Sequence, residues 1–138
     1  MADISPKIEK AVTLVDENKS VLDAAALMVA RYIGSVVVTR SAEIKGIFTE
    51  RDLMRIVAER RNPSEVKLKD VMRTDLVSVP PNETVEQCLS LMRAHRCRHL
   101  LVFDADKFIG IVSLRDLAML MVDEKEELIG QLTKYITG

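Results

Sequence analysis

Gly46-Ile-Phe-Thr49-Glu-Arg-Asp52-Leu53 returns 64 residues later as Gly110-Ile-Val-Ser113-Leu-Arg-Asp116-Leu117. Self-similarity at a fixed period is the first thing to look for in a chain, because it constrains every later reading. Carried outward without a gap, the same offset pairs Val15 with Val79, Asn18 with Asn82 and Val21 with Val85. It also pairs Leu27-Met28 with Leu91-Met92, Ala30 with Ala94 and Val38 with Val102. From Val12 to Val57 about a dozen of about 46 positions are identical, and most others exchange like for like. Two copies of 64 fill nearly all of the 138 residues, which leaves no room here for a separate catalytic domain.

Each copy has the same coarse order. A short extended piece, Thr13-Leu-Val15 or Val77-Ser-Val79, runs into a turn composition, Asp16-Glu-Asn-Lys19 or Pro80-Pro-Asn-Glu83. Ser20-Val-Leu-Asp23 and Thr84-Val-Glu-Gln87 both fit a capping box and start a helix. Val21, Ala24, Ala25 and Met28, like Val85, Cys88, Leu89 and Met92, recur at helical spacing. Two apolar runs follow, Ser35–Val38 with Ile44–Phe48 and Leu100–Phe103 with Phe108–Val112, joined by short polar turns as in hairpins. A second helix, Arg51 to about Arg60 or Arg115 to about Val122, closes each copy. The order is β-α-β-β-α, twice, an α/β class of fold.

One copy has a small sheet with an apolar face that it cannot cover alone, so two copies packed face to face are the expected stable unit. The expected organisation is a first repeat over 1–64 with its N-terminal segment, a second over 65–122, and a C-terminal amphipathic helix over 123–138. Val66–Met72 adds a short helix, and Leu128, Ile129, Leu132 and Ile136 form an apolar stripe near the end.

Composition excludes several classes. With 20 basic against 21 acidic residues the chain gives no sign of general nucleic-acid binding. No apolar run approaches membrane-spanning length, and Met1–Pro6 lacks the basic-then-apolar order of a signal peptide. Two cysteines make no disulfide framework and suit a reducing compartment, so the cytoplasm is expected. There is no P-loop, no Cys-x-x-Cys and no nucleophile-and-base pair at recognisable spacing, so catalysis is not expected.

The duplicated Gly-x-x-[Thr/Ser]-x-Arg-Asp has two readings. Thr49 with Asp52 and Ser113 with Asp116 fit helix N-caps with an acid in the first turn. The same hydroxyl, free N–H groups and carboxylate also suit a phosphate and a ribose diol. Arg51 and Arg115 offer a planar fork for phosphate, and Gly46 and Gly110 leave room for a backbone or a ligand.

Two tandem β-α-β-β-α copies, each ending in Gly-Ile-x-[Thr/Ser]-x-x-Asp-Leu, resemble a CBS-domain pair over about residues 4–122. The resemblance implies a pseudo-two-fold pair whose clefts bind adenosine compounds such as AMP, ADP, ATP or S-adenosylmethionine. It implies that Asp52 and Asp116 hold ribose hydroxyls and that Thr49 and Ser113 meet phosphate or ribose. It also implies contacts to the base from the strands starting near Thr13 and Val77, with Ser35-Val36 and His99-Leu100. Family members often carry proline where this chain has Val37 and Leu101. Gly34-Ser35 stands where the second copy has Arg98-His99, so unequal sites are expected, with Arg98 and His99 adding phosphate contacts. On this resemblance the chain is a stand-alone regulatory module, a homodimer acting on a target protein in trans. Apolar helix positions Ile56, Val57, Leu117, Leu120 and Met121 would serve the dimer. No cofactor or metal is required for that role.

Other readings remain open. The module can be purely structural or interactive, without a ligand. The basic stretch Arg93–His99 can be a set of cations at a helix C-terminus, or a phosphate contact. His95, Cys97 and His99 alternate and would share a face if extended, which admits a metal or redox sensor. Cys88 and Cys97 align with Ala24 and Ile33, positions that read as core.

Overall fold

Each copy builds a three-stranded sheet in which the middle strand carries both partners. In a computed structural model that describes residues 3–137, β1 (Leu14–Asp16) runs parallel to β2 (Ser35–Arg40), and β2 is antiparallel to β3 (Glu43–Thr49). The second copy repeats this with β4 (Ser78–Val79), β5 (His99–Asp104) and β6 (Lys107–Ser113). Even the irregularity repeats: the hairpin register slips at Val38/Thr39 and again at Val102/Phe103. The parallel pair needs a crossover, supplied by α1 (Val21–Arg31) and α4 (Val85–His95). Helices α2 (Glu50–Ala58) and α5 (Leu114–Thr137) follow the last strand of each copy, and α3 (Leu68–Val71) lies in the connection. The α/β class and the repeated element order are as the sequence predicts.

The helix starts are chemically specified. Ser20 makes both arms of a capping box with Asp23, at 3.0 and 3.1 Å. Thr84 makes one arm, accepting from the Gln87 amide at 3.2 Å, while its own amide donates to Glu83 at 2.9 Å. The expected box is thus half replaced by the preceding carboxylate, which lies closer in sequence than Gln87. Tyr32 and Arg96 end α1 and α4 in the left-handed conformation, at φ 55° and 52°.

The chain divides into two compact units, and their membership differs from the sequence order of the copies. One unit is Val12–Leu76; the other joins the residues up to Ala11 to those from Val77 onward. Residues 3–11 form a strap on the second copy: Ile4 donates its amide to the Glu83 carbonyl, and Glu9 and Ile111 exchange amide–carbonyl bonds of 2.8 and 3.1 Å. Ile4, fully buried, joins Val79, Val85, Cys88, Met92, Leu100, Val102, Val112, Leu117 and Leu120 in one core. Residues 66–73 form the equivalent strap on the first copy. Ile47 and Arg73 exchange bonds of 3.0 and 2.9 Å, and Val66 and Leu68 enter the core with Val15, Val21, Met28, Val36, Phe48 and Ile56. Ile4 precedes Leu68, and Glu9 precedes Arg73, by the same 64 residues as the copies themselves.

No break occurs near Val122: α5 is one helix to Thr137, exposed from Met121 to Lys134. Leu128, Ile129 and Leu132 are exposed on it, while Met1, Ala2 and Gly138 and the side chain of Ile136 lie outside the described residues. Of the positions expected to serve a dimer, Ile56, Leu117 and Leu120 are buried in their own units, because helical periodicity turns them onto the sheet; Val57 and Met121 are exposed. No described helix is long and apolar enough to cross a membrane.

Candidate functional site: the duplicated strand-to-helix elbow

At the first elbow Thr49 ends β3 and caps α2. Its hydroxyl accepts from the Asp52 amide at 3.3 Å, while its amide and hydroxyl donate to Asp52 Oδ2 at 2.9 and 3.0 Å. At the second elbow the Ser113 hydroxyl accepts from the Asp116 amide at 3.1 Å, and its amide and hydroxyl donate to Asp116 Oδ2 at 2.9 and 2.8 Å. The capping reading of the hydroxyl and the acid is thus realised in both copies. One carboxylate oxygen, Oδ2, is engaged by the cap in each copy.

The sheet brings further candidates to these turns. Register places Ser35 opposite Thr49 and His99 opposite Ser113. The first helical amides close each elbow onto the preceding connection: Glu50 donates to the Gly34 carbonyl at 3.0 Å and Leu114 to the Arg98 carbonyl at 2.8 Å. Ser35, Thr49, Arg51 and Asp52 therefore gather at one elbow, and Arg98, His99, Ser113, Arg115 and Asp116 at the other. Arg51, Arg98 and Arg115 are exposed. The second elbow has exposed arginines at the strand entry, Arg98, and in the first helical turn, Arg115, residue types suited to a phosphate.

Thr13 and Val77 lie one residue before their strands, across β2 and β5 from the elbows. The Thr13 carbonyl accepts from the Val37 amide and the Val77 carbonyl from the Leu101 amide, each at 2.9 Å. A proline at 37 or 101 has no N–H to donate, so the departure from the family's proline adds one ladder bond per copy. The Thr13 hydroxyl also accepts from Arg31 Nη1 at 2.9 Å. Val36 and Leu100 point into the two cores, at 1% and 0% exposure, so their side chains are not open to a base as the resemblance implied.

The glycine of the motif has a structural cause. A Cβ on Gly110 would collide with the Glu9 carbonyl, and one on Gly46 would lie 2.9 Å from the Arg73 carbonyl oxygen. The room is taken by the straps, so of the two occupants expected there the backbone is the one present.

His95 lies in the last turn of α4 with Arg93, and Arg96 caps it, so arginine cations stand at the carbonyl end of the helix dipole. Among the described residues no three His, Cys, Asp or Glu side chains stand where they could hold a metal ion, so His95, Cys97 and His99 do not form the alternating cluster expected of an extended segment. They span a helix end, a connection and a strand start. Cys88 is fully buried, and desolvation with help from nearby Glu83 pushes its thiol up to about 11.

Two residues escape the motif reading. Arg55 donates to Asp52 Oδ1 at 2.8 Å, and Arg40 grips the buried Glu17 through two nitrogens, at 2.6 and 3.2 Å. Arg55 was legible as a break in the repeat, because its counterpart 64 residues on is Met119.

A CBS domain family profile matches residues 2–59 and 68–123. The chain is 33% identical over 120 residues to the CBS domain-containing protein YhcV of Bacillus subtilis, covering 86% of this chain and 85% of that one. It superposes with a TM-score of 0.78 and 34% identity on a candidate signal-transduction protein with CBS domains from Burkholderia ambifaria, covering 83% and 85% of the two chains. A CBS domain protein from Pyrobaculum aerophilum, solved in complex with AMP, shares the fold at 21% identity and a TM-score of 0.73, over 83% and 88% of the chains. With two copies of the motif in register and the profile matching both, this chain belongs to the CBS-domain family as a tandem pair of repeats.

Proposed function

We propose that this chain is a cytoplasmic regulatory module that binds an adenine nucleotide, AMP, ADP or ATP, at its duplicated elbows. The bound state then reaches a target protein in trans through a change of conformation or assembly. The observation that supports this reading is the second elbow, where His99 pairs in register with Ser113, the Leu114 amide donates to the Arg98 carbonyl, and Arg115 and Asp116 open the helix. A capped helix needs the hydroxyl and the acid; it has no use for exposed arginines at the strand entry and in the first turn. Micromolar affinity corresponds to about −8 kcal/mol. One or two charge-assisted phosphate bonds at roughly 1.5–3 kcal/mol each, plus adenine burial at about 25 cal/mol/Å², reach that range.

The relative in complex with AMP makes AMP the first probe, with S-adenosylmethionine as the comparison that lacks phosphate. The role is regulatory rather than catalytic, and a homodimer is part of it: exposed Met54 and Val57 on α2, with Met119, Met121 and Val122 on α5, offer apolar surface for a second copy. Isothermal titration with AMP, ADP, ATP and S-adenosylmethionine is the test. Saturable nucleotide binding that weakens in Asp116→Ala is expected. Binding untouched in both Asp116→Ala and Asp52→Ala removes the elbows from the site, and no binding at all leaves the chain an interaction module without a ligand.

A further inference from the structure

Resting on the nucleotide reading above, we propose that Arg55 blocks the first elbow, so that the tight nucleotide site is the second. The two carboxylates are equivalent in sequence and in their caps, yet not in what remains of them. Asp52 is only 8% exposed, and both of its oxygens are engaged: Oδ2 by Thr49, Oδ1 by Arg55 Nη2 at 2.8 Å. Asp116 has Oδ2 engaged by Ser113, and no described protein donor reaches its Oδ1. The residue one turn after Asp116, where Arg55 would have its copy, is Met119, which has no donor to offer.

A ribose diol donates hydroxyl protons, so it needs a carboxylate oxygen that is open to accept them. At the second elbow Oδ1 is that oxygen. At the first, a nucleotide has to displace a guanidinium that already makes a charge-assisted bond. The Arg55 side chain is itself 57% exposed, so the barrier is a handicap rather than exclusion. A factor of about ten in affinity, equal to about 1.4 kcal/mol, is the expected size. Replacing Arg98-His99 by Gly34-Ser35 at the first elbow works in the same direction, by removing the Arg98 cation.

Titration of the full chain with AMP tests this, using Arg55→Met and Met119→Arg, each of which gives one elbow the other's residue. The wild type is expected to show one tight class of site and one about ten-fold weaker. In Arg55→Met the weak class tightens by about ten-fold and the tight class stays. In Met119→Arg the tight class weakens by about ten-fold, because the new guanidinium reaches Asp116 from three residues away. Because the two variants act in different units, a folding defect in one, seen in its circular dichroism melt, leaves the other decisive. Two equal classes in the wild type, or an Arg55→Met protein with unchanged constants, overturn the role of Arg55 and leave nucleotide binding standing. No saturable binding of AMP, ADP or ATP to the wild type or to either variant overturns the nucleotide reading, and the ranking of elbows with it.

Discussion

Replacing Gly110 by alanine pits one methyl group against the N-terminal strap. The new Cβ overlaps the Glu9 carbonyl oxygen and comes within 3.0 Å of both the Glu9 carbonyl carbon and Ile8 Cγ2. Backbone cannot swing aside as a long side chain does, so the strap has to retreat from β6. That retreat stretches the two Glu9–Ile111 hydrogen bonds, at about 1 kcal/mol each, and loosens Ile4, whose side chain is worth about 2 kcal/mol when fully buried. The expected loss is about 2–4 kcal/mol, a large share of the 5–15 kcal/mol typical of a domain. Urea unfolding reads the total, and hydrogen exchange at the Ile111 amide reads the place. Gly46→Ala gives a milder result, about 1–2 kcal/mol, because its nearest neighbours are the flexible Met72 Sδ and Cγ at 2.5 and 2.7 Å. Gly130→Ala meets nothing within 4 Å on an exposed helix and gains up to about 1 kcal/mol. A Gly110→Ala protein within about 0.5 kcal/mol of wild type, with Ile111 exchange unchanged, refutes the account.

Ile4→Ala and Leu68→Ala each leave a cavity and cost about 2–4 kcal/mol, and amide exchange should rise around Val112 for the first and around Val36 for the second. The opposite pairing would refute the strap assignment. Tyr32→Gly relieves a left-handed backbone at a side chain 96% exposed and is expected to raise stability by about 0.5–1 kcal/mol in urea unfolding. Burial favours the neutral Cys88 thiol, raising it from 9.0 to about 11, so its contribution is whole below pH 9 and is lost as pH rises toward 11. Stability should fall over that window by about 2 kcal/mol more in the wild type than in Cys88→Ala; parallel declines in the two proteins would contradict it.

The chain's local code is strong. Alternating and helical periodicities, with hydroxyl-and-acid pairs at Ser20, Thr49 and Ser113, dictate β-α-β-β-α twice, and the structure has that order. These signals act over a few residues, so they survive being read one stretch at a time. The candidate elbows were legible for the same reason: Thr49 with Asp52 and Ser113 with Asp116 meet across three residues of one helix turn. The base-side candidates were less so, because whether Val36 and Leu100 face a ligand or a core depends on which side of the sheet is covered.

What the sequence by itself determined is the repeat, its elements and the caps that start its helices. Tertiary structure alone decided where the straps go: residues 3–11 complete the second copy and 66–73 the first, although each strap precedes the other copy in the chain. Only that pairing shows why Gly46 and Gly110 must lack a side chain, and only the folded turn shows Arg55 bonded to one of two otherwise matched carboxylates. The physical reason is one of range. Helix caps and strand periodicity are settled between near neighbours, whereas a strap's hydrogen bonds and apolar anchor are satisfied by strands far away in sequence, and no local pattern names its partner.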